Sequence, residues 1–203
     1  MTDITKAIIP VAGLGTRFLP LSKVTPKEFF PLAGKPLIQY AVKEAKEAGV
    51  KEIIFIVNSN KKILSDYFKR SPKLERILQE AGKEDLLEEL KSVEELVEGM
   101  TLSYVTQREQ SGDGHAVLQA KRLIGNEPCF MLYPDDVIEA KTPALSQIAQ
   151  VFRTSEKPVI GLIAIPEEHL STFGVVESEK IARKLHKTRK IVEKQAPDAL
   201  PSN

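Results

Sequence analysis

The first residues that could do chemistry are two glycines, an arginine and a lysine: Gly13-Leu14-Gly15-Thr16-Arg17, then Pro26-Lys27-Glu28. The glycine segment follows a short, apolar, β-branched stretch, residues 7–12. Two glycines let a backbone turn tightly and bring its N–H groups against phosphate oxygens with no side chain in the way. Arg17 adds a guanidinium fork suited to a triphosphate, and Lys27 adds a second cation within the same connection. On the glycines alone a plain structural turn stays open. Two other phosphate loops do not fit. No Gly-Lys-Ser/Thr follows, as a P-loop needs. A dinucleotide fingerprint would have glycine where Phe18 stands and an acidic residue near positions 33–37, and neither is there.

Further along, Tyr133-Pro134-Asp135-Asp136 closes an apolar stretch. Carboxylates there suit a hard cation such as Mg²⁺, although Asp-Asp also serves as a turn or helix cap. Gln107 lies just past residues 101–105, and Gly112-Asp113-Gly114-His115 opens the next helical pattern. A side-chain amide carries one donor and one acceptor group and so matches a pyrimidine edge that carries both; an exposed polar loop is the plain alternative. His115 reads as a helix-start residue, and Cys129 as a core residue of an apolar strand.

The elements that must position these residues alternate. Continuous apolar runs at 7–12, 53–57, 101–105, 129–133 and 159–165 predict strands. Helical spacing predicts helices over 37–48, 63–68, 74–97 with a break near Gly82, 114–123 and 143–152. The 74–97 stretch reads as a solvated insert with one packed face. Apolar strands separated by helices imply a mostly parallel sheet covered on both faces, with ligands beyond the carboxyl ends of its strands. After residue 165 the rhythm changes: 173–176 and 189–192 predict a hairpin-rich lobe, with the basic 183–190 run on a solvated hairpin. The expected division is therefore a core over 1–165 and a second lobe over 166–203.

Composition excludes several classes. With 29 Lys+Arg against 28 Asp+Glu over 203 residues, bulk electrostatic binding of nucleic acid is disfavoured. A single cysteine rules out a disulfide framework and a cysteine-based zinc site. No signal-peptide pattern and no bilayer-length apolar run occurs, so a cytoplasmic protein without membrane or nucleic-acid partners is expected.

The combination Gly13-Leu14-Gly15-Thr16-Arg17-Phe18-Leu19-Pro20, Pro26-Lys27-Glu28-Phe29-Phe30-Pro31 and Lys35-Pro36-Leu37-Ile38-Gln39-Tyr40 resembles the sugar-nucleotide pyrophosphorylases, in particular members that use UTP and glucose 1-phosphate. The resemblance implies an α/β, Rossmann-like, three-layer nucleotidyltransferase fold with an added β-rich sugar lobe. It implies that Ala12, Gly13, Leu14, Gly15, Thr16 and Arg17, together with Gln107, Gly112 and Gly114, bind the nucleotide. It makes Arg17 and Lys27 the catalytic cations and Asp135 the Mg²⁺ ligand. It also implies that Gly174, Glu193 and Lys194 meet the sugar phosphate; the family usually has proline after that lysine, where Gln195 stands here.

Family members continue past the position of Asn203, so the resemblance implies an incomplete sugar lobe, an absent acidic partner for Asp135 and weakened homo-oligomer contacts. A fragment, a split enzyme and a non-catalytic nucleotide-binding relative all stay open on the sequence, as do the thymidylyl and cytidylyl relatives that use dTTP or CTP.

Overall fold

The computed structural model describes residues 3–58 and 61–193. The chain divides into two compact units, Met1–Val159 and Ile160–Asn203.

The first unit is built on four parallel strands: β1 (Lys6–Val11), β4 (Glu52–Val57), β5 (Thr101–Thr106) and β6 (Cys129–Met131), in the order β5-β4-β1-β6. A two-stranded hairpin, β2 (Pro31–Leu32) with β3 (Lys35–Pro36), lies between β1 and the first helix. Successive strand residues point to opposite faces, so each continuous apolar strand feeds two cores. Ala7, Ile9 and Val11 of β1 and Ile53, Phe55 and Val57 of β4 enter one core; Ile8, Ile54 and Ile56 enter the other. The larger core is closed by α1 (Leu37–Glu47), α2 (Lys61–Phe68) and α7 (Ala144–Ser155), through Ile38, Val42, Leu64, Phe68, Leu145 and Ala149. The smaller is closed by α5 (Asp113–Gln119) and α6 (Lys121–Ile124), through Ala116 and Ile124, with Ala120 at the junction between them. The unit thus has three layers, the α/β arrangement expected of the sequence. Burying each fully enclosed isoleucine contributes about 2 kcal/mol relative to exposure.

Helix α1 shows how local sequence sets the elements. Ile38, Ala41, Val42 and Ala45 are buried at i, i+3, i+4 and i+7. Gly49, at φ 90°, ends it while Val50 N–H returns to the Ala45 carbonyl at 3.0 Å. The charged insert forms two helices, α3 (Pro72–Glu80) and α4 (Glu84–Val97), parted at Gly82 with φ 63°. Val93, Leu96 and Val97 pack on the core, whereas Leu74, Ile77 and Leu86 are exposed. Cys129 is partly buried at the start of β6, and burial pushes its thiol up, in keeping with a core role.

Three local expectations change. The stretch 114–123 is two helices, because the chain turns at Ala120. The strand at 129–133 ends at Met131, whose pairing with Ile8 is the last register pair with β1; a single Leu132 N–H to Ile8 carbonyl bond at 3.0 Å follows it. The predicted strand over 159–165 does not form: those residues have no regular structure, and Ile160, Leu162 and Ile163 are exposed. A strand exists only through its ladder, and among the described residues none pairs with this segment.

In the second unit, β7 (Gly174–Ala182) and β8 (Leu185–Glu193) form an antiparallel hairpin with register shifts at Glu177/Ser178 and Lys180/Ala182. The basic 183–190 run is its exposed turn and second strand.

Candidate active site

The glycine loop leaves the carboxyl end of β1 at buried Ala12. Gly15 sits at φ 60°, ψ 37°, and the chain then makes the tight turn Thr16–Phe18, closed by a Phe18 N–H to Gly15 carbonyl bond of 2.9 Å. A Cβ on Gly15 would lie 3.2 Å from the Ser22 Cβ and 3.5 Å from the Lys27 Cβ. The loop therefore lies beside the stem of Lys27. Phe18 and Phe30 pack edge to face at 5.1 Å, fastening the loop to the segment after Lys27. Gly15→Ala is expected to lower stability by about 1–2 kcal/mol, since left-handed backbone disfavours a Cβ and this one also crowds Ser22. Chemical denaturation measures it; an unchanged midpoint would show the loop to be slack.

Lys27 Nζ donates to Asp135 Oδ2 at 2.7 Å. Asp135 follows β6 in a turn closed by Asp136 N–H and the Tyr133 carbonyl at 3.1 Å. Residues 108 apart in sequence thus meet at neighbouring strand ends. Arg17 projects from the loop's turn, exposed, with no hydrogen-bond or ion-pair partner among the described residues. Leu14 and Thr16 are exposed beside it.

Gln107 follows β5, anchored by its N–H to the Val57 carbonyl at 2.8 Å, and its side chain is buried. Its amide nitrogen lies 3.1 Å from His115 Nδ1 and 3.5 Å from the Gly112 carbonyl. Gly112, at φ 89°, starts α5, and nothing occupies the space a Gly114 Cβ would enter. The two loops are tied together: Gln110 Nε2 donates to the Ala12 carbonyl at 2.9 Å.

Gly13–Arg17, Lys27, Gln107, Gly112, Gly114 and Asp135 therefore gather at the carboxyl ends of β1, β5 and β6, where parallel α/β sheets bind ligands. The region is open; two surface depressions of about 500 and 350 Å³ are lined by none of these residues. Of the sugar-phosphate candidates, Gly174 and Glu193 are paired across the β7–β8 hairpin. Lys194 and Gln195 lie outside the described residues.

Three participants were not singled out from the sequence. Gln110 and Gln119, the latter with its amide nitrogen 3.1 Å from His115 Nε2, occupy polar positions with no distinguishing pattern. Glu28 stands inside the Pro-Lys-Glu segment, but nothing in its neighbours announces that it is 2 % exposed. Its Oε1 has no hydrogen-bond partner. Burial, opposed by its own backbone N–H and by Lys27 and assisted by Asp135, raises its carboxyl to about 7 from 4.5. The folded protein then holds a proton that the unfolded chain releases between those values. Stability contributed by this site is fully lost as pH climbs from about 4.5 to about 7. Glu28→Gln should flatten that fall and leave the variant about 2–3 kcal/mol better off than wild type at pH 8 relative to pH 4.5. Urea unfolding at the two pH values measures it; parallel profiles would refute an elevated carboxyl.

Asp136 is likewise raised by burial first, then by Asp135, with Lys27 opposing. Asp135 and Asp136 supply hard oxygen donors, and no group of three or more His, Cys, Asp or Glu side chains among the described residues could form an all-protein cage. One or two carboxylates facing a phosphate loop is the donor set of Mg²⁺ held jointly with phosphates and water, so these residues fit that ion.

Among known proteins, the Nucleotidyl transferase family model matches residues 6–201. A UTP–glucose-1-phosphate uridylyltransferase from Staphylococcus haemolyticus (strain JCSC1435) is 41% identical over 203 residues, all of this chain and 69% of that one. A UDP-glucose pyrophosphorylase solved in complex with UDP-glucose superposes with a TM-score of 0.87 at 36% identity, covering 98% of this chain and 72% of that chain. A UTP-bound UGPase from Acinetobacter baumannii gives 0.88 at 37% identity, with 98% and 71% covered.

Proposed function

The chain belongs to the nucleotidyl transferase family, and from that footing we propose that it transfers a uridylyl group from UTP to glucose 1-phosphate, giving UDP-glucose and pyrophosphate. The observation that carries this reading is Lys27, lying beside Gly15 and paired at 2.7 Å with Asp135. One cation thus stands between a phosphate loop and a carboxylate.

A phosphate oxygen of the sugar 1-phosphate attacks the α-phosphorus in line. The new O–P bond forms as the bond to the bridging oxygen breaks, and pyrophosphate leaves with that electron pair. The nucleophile is already an anion, so no Ser-His-type base is required, and rate comes from positioning and charge neutralisation. The N–H groups of the 13–17 loop cradle the triphosphate, and exposed Arg17 clamps its outer oxygens. Lys27 turns from Asp135 to the α-phosphate, where negative charge accumulates. Asp135, with Asp136 beside it, would hold Mg²⁺, which supplies Lewis-acid neutralisation of phosphate oxygens when bound. Gln107 meets the uracil edge, and Gly112 and Gly114 let the base lie close to backbone. In the hairpin unit, Gly174 and Glu193 serve the sugar, with Lys194 meeting its phosphate. Both substrates are water-soluble, and no helix among the described residues is long and apolar enough to cross a membrane, which fits an enzyme of the cytoplasm.

The test is product analysis. Purified chain with UTP, glucose 1-phosphate and Mg²⁺ is expected to form UDP-glucose, with dTTP and CTP poorer donors. Faster product from dTTP or CTP would reassign the nucleotide, and UTP binding without product would replace the reading with a binding-only one.

A further inference from the structure

His115 sits between two side-chain amides. Its Nδ1 lies 3.1 Å from Gln107 Nε2, and its Nε2 lies 3.1 Å from Gln119 Nε2. Gln119 Nε2 also donates to the His115 backbone carbonyl at 3.2 Å. A neutral imidazole has one N–H and one bare nitrogen, so it cannot accept from both amides; one amide must present its oxygen instead. The oxygen and nitrogen of an amide are told apart by their partners. The backbone carbonyl can only accept, so it keeps the Gln119 amide nitrogen where it is, and that nitrogen's second N–H points at His115 Nε2. Nε2 is then the acceptor, Nδ1 carries the proton, and Gln107 turns its oxygen to that N–H. The competing contact, Gln107 to the Gly112 carbonyl, is the longest of the set at 3.5 Å and is the one given up.

The consequence concerns the base. Uracil offers an N3–H donor beside the O4 acceptor; cytosine offers an N3 acceptor beside an N4 amino donor, the reverse order. An amide free to flip about its last torsion serves either. One held in a single orientation serves only one. We propose that His115, oriented by Gln119, is a positioning and specificity-determining residue that fixes the Gln107 amide and so separates UTP from CTP. The proposal rests on the reading of Gln107 as the base-contacting residue. His115 touches neither the phosphates nor the bond that breaks.

The test is calorimetric binding of UTP and CTP to wild type, His115→Phe and Gln119→Leu, each checked for a cooperative melt. The ring of phenylalanine keeps the shape at 115 without a polar atom; leucine at 119 removes the anchor of the tautomer while leaving His115 and Gln107 in place. The preference for UTP over CTP is expected to fall about ten-fold or more in His115→Phe and in the same direction, less far, in Gln119→Leu. In turnover, kcat at saturating UTP stays within a few-fold while KM for UTP rises. A folded His115→Phe with an unchanged UTP-to-CTP ratio overturns the proposal, including the case where both nucleotides weaken equally. Should His115→Phe not fold, the ratio in Gln119→Leu decides alone. Wild type that binds neither nucleotide overturns this inference together with the functional reading. Wild type that binds UTP selectively but makes no UDP-glucose refutes the functional reading only, and the binding ratios still decide the role of His115.

Discussion

Lys27→Ala is expected to lower kcat by roughly a hundred- to a thousand-fold while leaving the melting temperature nearly unchanged. The two halves of this result have separate causes. The Lys27–Asp135 pair is partly open to solvent, with side chains 24% and 44% exposed. An ion pair in such a setting contributes about 0–1 kcal/mol to folding. Its stem packs beside Gly15, so some contact is lost, but no buried charge is stranded. In the reaction the same ammonium, already in place, meets charge that grows as the α-phosphorus passes through its transition state, and there it counts for several kcal/mol. Lys27→Arg should recover only part of the rate, because a planar fork cannot replace a compact point charge at the Gly15 loop. Steady-state kinetics alongside thermal melting checks both halves. A kcat within a few-fold of wild type would remove Lys27 from the mechanism.

Asp135→Asn comes second in expected size. The substitution keeps the shape and the turn with Tyr133, which uses the backbone of Asp136, but removes the charge that would attract Mg²⁺. Turnover should fall by about two to three orders of magnitude. The half-saturating Mg²⁺ concentration should rise, and extra Mg²⁺ should restore part of the loss. Titrating activity with Mg²⁺ for both proteins provides the comparison. A variant with unaltered Mg²⁺ dependence would assign the ion to other groups. Stability should change little, because Asp135 is half exposed.

Much of this site was legible in the sequence because its parts are carried by strong local signals. Strands β1 and β4 are continuous apolar runs, so their ends, and the loops that hang from them, follow from the sequence. The glycine loop and Lys27 follow β1, Gln107 follows β5 and Asp135 follows β6, each at a strand end or in the connection after it. What could not be read depends on distant contacts. Glu28 looks like any loop glutamate, and its burial follows only from how the chain folds around it. The His115–Gln107–Gln119 set spans a strand end and a helix, and its meaning lies in which atom of each amide faces the ring. The stretch 159–165 failed in the opposite sense: its apolar pattern satisfies a strand, but a ladder partner is a property of the assembled sheet. Gln195, where the family usually has proline, stays an observation of sequence, since it lies outside the described residues.

The most direct measurement is isotope exchange. Labelled pyrophosphate is incubated with the chain, Mg²⁺ and UTP, with and without glucose 1-phosphate, and label entering UTP is counted. Direct in-line transfer between two bound substrates predicts no exchange with UTP alone and rapid exchange once glucose 1-phosphate is added. Exchange with UTP alone would require a covalent uridylyl-protein intermediate, and no exchange in either mixture would mean that this chain does not carry out the transfer.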